Sequence, residues 1–130
     1  MKDSCHDYFS LGYVHAVAYP EALAGRGPLA DQVAKLLADD FFGAIEVSVV
    51  KDPEEQKKLA QVLNQSDVDK VFLAASPMIA SKRSLCALDE GERQAGVHQI
   101  KEHIDEAYLY GCKMMLVGSG PDVADRRQGV

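Results

Sequence analysis

Residues 41–75 read FFGAIEVSVVKDPEEQKKLAQVLNQSDVDKVFLAA, and this stretch decides the fold class. It contains two apolar runs of strand length, AIEVSVV and VFLAA, and the first of them is rich in β-branched residues. Between the two runs, Asp52 and Pro53 are a typical helix start, because an Asp side chain caps free backbone N–H groups and proline fits the first turn. Glu55 adds the pattern of a capping box. The stretch therefore predicts a strand–helix–strand unit, the building block of a parallel sheet.

The same alternation runs along the rest of the chain. Strand-length apolar runs lie at residues 11–18, 44–50, 71–75 and 113–117. A first helix is predicted to begin at Pro28. A third is predicted to open at Asp89, with Glu92 three residues on and Gly111 as its C-terminal cap. That third helix is expected to bury the stripe Val97, Ile100, Ile104, Ala107 and Tyr108. The order β-α-β-α-β-α-β predicts an α/β fold with a parallel sheet and right-handed crossovers.

The number of strands indicates half of a barrel. A complete (β/α)8 TIM barrel typically needs ~250 residues, and four strands in 130 residues are about half of one. We therefore expect residues 1–130 to form a single half-barrel domain, a truncated TIM barrel. Residues 76–88 are expected to form a long loop after the third strand, and residues 123–130 to begin a fourth helix.

Composition and charge exclude several classes of protein. With 47% hydrophobic and 26% charged residues, the chain is globular rather than disordered. A formal net charge of −6 argues against a nucleic-acid surface, which needs clustered Lys and Arg. Cys5, Cys86 and Cys112 form no CxxC pair and are odd in number, which favours reduced thiols and a cytoplasmic location. The N-terminus lacks the apolar core of a signal peptide, and no apolar run approaches the ~20 residues of a membrane span.

Two residues on the first two strands are candidates for a site inside the barrel. Alternation places Ile45 and Val47 on one face of the second strand and Glu46 on the other, towards the barrel interior. His15 on the first strand could share that interior, and a His/Glu pair facing a cavity can bind a metal or orient a sugar hydroxyl. The alternatives are that Glu46 is half of a structural ion pair, and that His15 is a hydrogen-bonded core residue.

Other polar residues carry weaker signals. Lys82 and Arg83, in the expected long loop, could meet a phosphate or a sugar acid, although two solvated charges are the simpler interpretation. His98 and His103 are five apart on the third helix, so they do not share a face as two metal ligands would. They are expected at the surface or in helix packing. No catalytic triad, HExxH or CxxC motif is present.

Several segments resemble a known superfamily. They include GYVHAVAYP, VFLAASP, and most clearly Phe42-Gly43-Ala44-Ile45-Glu46, followed by Tyr110-Gly111-Cys112-Lys113-Met114. Over residues 12–122 the chain resembles the N-terminal half of sugar phosphate isomerases and epimerases of the xylose-isomerase-like TIM-barrel superfamily. That superfamily also contains the endonuclease IV type of DNA repair enzyme.

The resemblance implies a function. It implies a divalent metal, Mn²⁺, Mg²⁺, Co²⁺ or Zn²⁺, that polarises a ketose or aldose, with carboxylates moving a proton between adjacent carbons. In such enzymes the ligands lie on strands five to eight, so this chain by itself is not expected to bind the metal or to be active. The implied partner is a sugar or sugar phosphate, with neither nucleic acid nor membrane. The resemblance carries over His15 and Glu46 as interior substrate contacts, and Ser76 and Ser119 as rim contacts.

Three alternatives remain open on the sequence. A non-catalytic half-barrel would bind a small ligand, or form a homo-oligomer through its exposed sheet edges. A flavodoxin-like binding module would need five strands and a phosphate loop. An endonuclease would need metal-binding His residues at the ends of strands three and four, where this chain has Ser76-Pro77 and Ser119-Gly120.

Overall fold

The computed structural model describes residues 8–120 and shows an α/β fold with one four-stranded sheet. Its elements are β1 (Gly12–Val14), α1 (His15–Ala18), a 3-10 helix (Pro20–Ala24), α2 (Leu29–Leu37), β2 (Ala44–Ser48), α3 (Pro53–Asn64), β3 (Asp69–Leu73), α4 (Ala75–Ala80), α5 (Glu90–Leu109) and β4 (Met114–Leu116). Each strand pairs with the next one in parallel. The predicted alternation of strands and helices around a parallel sheet is confirmed.

The strand order distinguishes between the α/β alternatives. The order β1-β2-β3-β4 follows the sequence without a reversal. A flavodoxin-like sheet has the order 2-1-3-4-5, with a switch point beside its first strand. The flavodoxin-like alternative is therefore wrong for the described sheet, whose order is consistent with half of a barrel.

All three long helices cover the same face of the sheet. Ile45 and Val47 on β2 and Phe72 on β3 are fully buried, and they join one core with residues from the helices. The helices contribute the buried residues Leu29, Ala30, Val33, Leu59, Ala60, Leu63 and Ala107. Tyr110, just after α5, stacks on Phe72 with 6.1 Å between ring centroids. On the opposite face, called the open sheet face, Val14, Met114 and Leu116 are exposed and Glu46 and Val71 are half-buried, whereas Ser48 and Leu73 at its carboxyl end are buried.

Helix α3 begins at the predicted residue, but the Glu55 side chain in its first turn bonds to α2 and not to the start of its own helix. Asp52 Oδ1 accepts a hydrogen bond from the Glu54 backbone N–H at 2.9 Å, and Pro53 is the first helical residue. The expected capping box is wrong, because Glu55 Oε1 accepts from the backbone N–H of Ala30 at 2.8 Å. That N–H is among the free donors in the first turn of α2. Glu55 therefore ties the start of α2 to α3.

Helix α5 begins and ends at the predicted residues. Asp89 Oδ1 accepts from the Glu92 N–H at 2.9 Å. At the other end Gly111 has φ +70°, and the N–H groups of Gly111 and Cys112 donate to the carbonyls of Tyr108 and Ala107. This is a Schellman motif, which stops a helix with a left-handed glycine.

The predicted buried stripe of α5 is partly wrong. Tyr108 is 79% exposed and Ile104 is 38% exposed, whereas His103 and Glu106 are buried. Two tertiary contacts set the rotation of the helix. A Cβ on Gly96 would lie 2.9 Å from the Ser84 carbonyl oxygen, and Glu106 accepts a hydrogen bond from Val50. Ile104 and Tyr108 consequently turn towards the edge beside β4.

Two segments after strands also differ from prediction. The first strand was expected over residues 11–18 but ends at Val14, since a hydrogen bond from Tyr19 N–H to His15 O (2.8 Å) closes a helical turn. Residues 76–88 are not one long loop, because α4 occupies residues 75–80. The chain thus leaves both β1 and β3 through a short helix.

The remaining sequence predictions are simpler to place. Cys86 is exposed, and Cys112 is half-buried and forms no disulfide with the described residues 8–120. Cys5, the N-terminal segment and the helix expected over residues 123–130 lie outside the described residues. None of the described helices is both long enough and apolar enough to span a membrane.

Candidate functional site

Glu46 lies in the middle of the open sheet face, on the side away from the three long helices. Its neighbours in register are Val14 on β1 and Val71 on β3. Val71 is in turn paired with Met114 on β4. The carboxylate is half-buried and makes no hydrogen bond or ion pair with residues 8–120. Burial therefore raises the pKa of Glu46, since no partner offsets the loss of water. The prediction that Glu46 points away from the helices is confirmed, and the alternative of an ion pair does not hold within the described residues.

His15 lies apart from Glu46. The residue on β1 beside Glu46 is Val14, and His15 follows it as the first residue of α1. The imidazole is only 3% exposed, and its Nε2 lies 3.0 Å from Gln32 Oε1 on α2. The expected sharing of a cavity by His15 and Glu46 is therefore wrong. The helical turn that ends β1 gives His15 a partner among the helices instead.

A short chain of hydrogen bonds determines which ring nitrogen of His15 carries the proton. Gln32 Nε2 donates to Glu21 Oε1 at 2.8 Å, so the amide oxygen of Gln32 faces His15 and must accept. The proton of the neutral imidazole then sits on Nε2. Burial lowers the pKa of His15, although Gln32 and Glu21 act in the opposite direction. His15 is thus a neutral donor in a hydrogen-bonded core position.

Ser76 and Ser119 follow neighbouring strands at the carboxyl edge of the sheet. Ser76 is a half-buried residue at the start of α4, and Ser119 is exposed after β4. A hydrogen bond from Ala74 N–H to Leu116 O (2.9 Å) keeps the two segments side by side where they leave the sheet. The Ser119 carbonyl accepts from the N–H of Leu85 at 2.9 Å and from Ser84 Oγ at 3.2 Å. Ser119 therefore anchors the segment between α4 and α5 through its backbone.

One buried carboxylate was missed by the sequence analysis. Glu106 on α5 is 8% exposed, and its Oε1 accepts from the backbone N–H of Val50 at 2.8 Å and from the Tyr110 hydroxyl at 2.7 Å. Burial and the nearby carboxylate both raise the pKa of Tyr110. The sequence around Glu106 does not indicate that it is buried, because a Glu close to Glu102 and Asp105 is typical of a solvated helix face. It fixes α5 to the carboxyl end of β2.

The described residues do not form a metal site. In residues 8–120, no three His, Cys, Asp or Glu side chains cluster so that they could hold an ion. Four oxygen, nitrogen or sulfur ligands would be needed for the structural metals of proteins.

Comparison with known proteins adds no relative. No protein-family model matches the chain, and no curated protein matches it either. The resemblance of residues 12–122 to the xylose-isomerase-like superfamily therefore stays a hypothesis.

Proposed function

We propose that this chain is the front half of a (β/α)8 barrel of the sugar or sugar phosphate isomerase/epimerase type, acting in the cytoplasm. The observation that carries the proposal is Glu46. It is a half-buried carboxylate that makes no hydrogen bond or ion pair with residues 8–120, and it lies on the sheet face away from the three long helices. An ionisable group with a raised pKa on such a face is a typical feature of functional sites.

The setting of Glu46 suits contact with a sugar. Val14 and Val71 flank the carboxylate and offer no hydrogen bond through their side chains, so its acceptor oxygens stay available to hydroxyl groups. A carboxyl group with a raised pKa is also closer to the range in which it can exchange a proton near neutral pH. Glu46 would bind the substrate, with Ser76 and Ser119 at the rim, and His15 would support β1 from the helix side. The residues that complete catalysis would belong to the later strands of the barrel.

Glu46→Gln tests this proposal through two opposite effects. An unpaired, partly desolvated carboxylate destabilises the fold at neutral pH, so E46Q should raise the free energy of unfolding at pH 7. The folded-state pKa is raised, so the penalty grows as pH rises through that pKa, and the two proteins should converge in acid. The same variant should weaken sugar binding roughly tenfold, because a charged acceptor is lost. Urea unfolding and ¹⁵N–¹H NMR titrations with aldoses, ketoses and their phosphates measure both effects.

The matched control is Glu92→Gln, on the exposed first turn of α5. It removes the same charge outside the open sheet face, so it should leave sugar binding unchanged. It should not raise the free energy of unfolding, because a carboxylate in the first turn of a helix is favourable there. The proposal fails if no sugar or sugar phosphate shifts the amides of Val14, Glu46 and Val71, or if E46Q and E92Q bind equally well.

A second candidate function is self-association without catalysis. The open sheet face and the β4 edge expose Val14, Met114 and Leu116, and Met114 is 58% exposed. Ile104 and Tyr108 extend this apolar surface along a groove beside β4. In the described sheet β1 and β4 each have one neighbour, so both edges can still accept a strand.

Met114→Lys tests the self-association. A charge at the centre of an apolar contact should shift a dimer towards monomer. The dissociation constant of the dimer should rise roughly tenfold or more. Sedimentation velocity over a concentration series measures the shift. Lys35→Glu, on an exposed position of α2 outside this groove, is the control for a change of charge. A wild-type chain that stays monomeric at high concentration would eliminate this candidate.

A further inference from the structure

A cleft of about 310 Å³ lies where the segments that follow β1, β2 and β3 meet. Leu23 of the 3-10 helix and Val49 supply apolar walls, α4 supplies a third, and α5 closes the back. His103 at the back packs against Phe72, whose ring faces the helices, at 5.7 Å between ring centroids. The cleft therefore sits at the carboxyl edge of the sheet but on the helix side, whereas Glu46 is on the open face. Ligands of parallel α/β proteins gather at this edge.

Polar groups line the back of the cleft in a connected chain. Ser81 Oγ lies 2.8 Å from Gln99 Oε1, and the carbonyls of Pro77 and Met78 compete for the same hydroxyl proton at 2.9 and 3.1 Å. Gln99 Nε2 lies 3.3 Å from His103 Nε2. These bonds hold the Gln99 amide in place. A primary amide has two N–H groups, so one of them is left for a ligand. Burial lowers the pKa of His103, which keeps the imidazole neutral at pH 7.

Lys51 is an exposed charged residue at the mouth of the cleft, between it and a neighbouring pocket that Gly25 lines. Its backbone N–H donates to Gly25 O at 2.9 Å, and a Cβ on Gly25 would lie 3.3 Å from Lys51 Cγ. Gly25 has φ +66°, so a glycine both permits the turn and leaves room for the lysine stem. The ammonium forms no ion pair with residues 8–120, and no Asp or Glu lines the cleft. Among the residues that line the cleft, Lys51 is the one with a cationic side chain, and the nearest carboxylates of the adjoining pocket are those of Asp52 and Glu55.

We propose that this cleft binds the phosphate group of a small molecule, with Lys51 supplying the charge and Gln99 a hydrogen bond. Lysine binds phosphate as a point charge, and a side-chain amide on the same cleft can add a hydrogen bond to a phosphate oxygen. The volume is at the lower end of ligand pockets, roughly 300–1,000 Å³, and fits a molecule of a few carbon atoms. Leu23 and Val49 would contact its carbon chain. The site is independent of Glu46 and of the isomerase proposal.

The test is an NMR titration of the full 130-residue chain with three probes: glycerol 3-phosphate, inorganic phosphate and glycerol. We expect saturable shifts of the Val49, Lys51, Ser81 and Gln99 amides with glycerol 3-phosphate, and none with glycerol. Inorganic phosphate that binds as tightly as the ester would identify free phosphate as the ligand. Weaker binding of inorganic phosphate would identify a phosphorylated molecule. Either result supports a phosphate site.

Lys51→Met should weaken binding roughly tenfold or more, because it removes the charge and keeps the stem over Gly25. Lys51→Arg should retain most of the affinity. Lys101→Met, on an exposed position of α5 outside the cleft, is the matched control and should have no effect. Gln99→Met is a second variant should K51M disturb the fold. Equal weakening by K51M and K101M, equal binding of glycerol, or shifts spread over other Lys and Arg residues would overturn the proposal.

Discussion

Replacing Glu106 with alanine should lower the free energy of unfolding by about 3 kcal/mol, because two buried donors lose an acceptor. The donors are the Val50 N–H and the Tyr110 hydroxyl, at 2.8 and 2.7 Å from Glu106 Oε1. The first bond joins residues 56 apart in sequence, so it ties α5 to the carboxyl end of β2. Without it, α5 keeps its caps but loses one of the contacts that set its rotation. Urea unfolding followed by circular dichroism measures the loss.

Two variants separate the hydrogen bonds from the charge. Glu106→Gln keeps an acceptor oxygen and should cost clearly less than alanine. Glu102→Ala, on the same helix, removes an exposed carboxylate whose partner is His98 at 3.3 Å, and should change stability by less than about 0.5 kcal/mol. An E106A protein as stable as E102A would show that the buried carboxylate does not hold α5 in place.

The second large effect is a loss of stability in mild acid. Burial lowers the pKa of both His15 and His103 below the ordinary value of 6.5. The unfolded chain therefore binds protons more readily than the folded chain as pH falls below 6.5. The stability that comes from neutral imidazoles is complete above pH 6.5 and is lost as pH falls through the folded-state pKa values. The slope should reach at most ~1.4 kcal/mol per pH unit for each histidine.

Neighbouring acids modify this pH dependence without reversing it. Glu21 raises the pKa of His15, and Glu106 and Glu102 raise that of His103, but desolvation is the larger cause for both. Glu46 acts in the opposite sense at lower pH, because its raised pKa favours proton uptake by the folded chain. Urea unfolding at pH 7.5, 6.5 and 5.5 measures the net slope.

Asparagine variants assign the slope to individual histidines. His15→Asn and His103→Asn should each flatten the dependence between pH 6.5 and 5.5, and the double variant should flatten it most. His98→Asn, at an exposed position on α5, is the control and should leave the slope unchanged. A slope that survives the double variant would assign acid sensitivity to other groups.

Much of the fold follows from local chemistry. The starts of α3 and α5 were predicted because Asp52 and Asp89 accept hydrogen bonds from N–H groups only two and three residues away. The end of α5 was predicted because a glycine at φ +70° costs no steric strain. The face of Glu46 was predicted because side chains alternate along a strand. Each of these features depends on residues that are close together in the chain.

The tertiary structure decided what depends on distant partners. The parity of a strand could not place His15, because a helical turn ends β1 at Val14 and turns the imidazole to Gln32. The spacing of apolar residues along α5 could not predict that Glu106 is buried either, because its hydrogen-bond partner is the backbone N–H of Val50, just after β2. The sequence by itself determined the order of the four strands and the three long helices, the residues that cap the starts of α3 and α5 and the end of α5, and the side on which Glu46 lies. Only the folded chain decided which polar side chains are buried together, because a hydrogen bond between distant residues leaves no pattern in the sequence around either one.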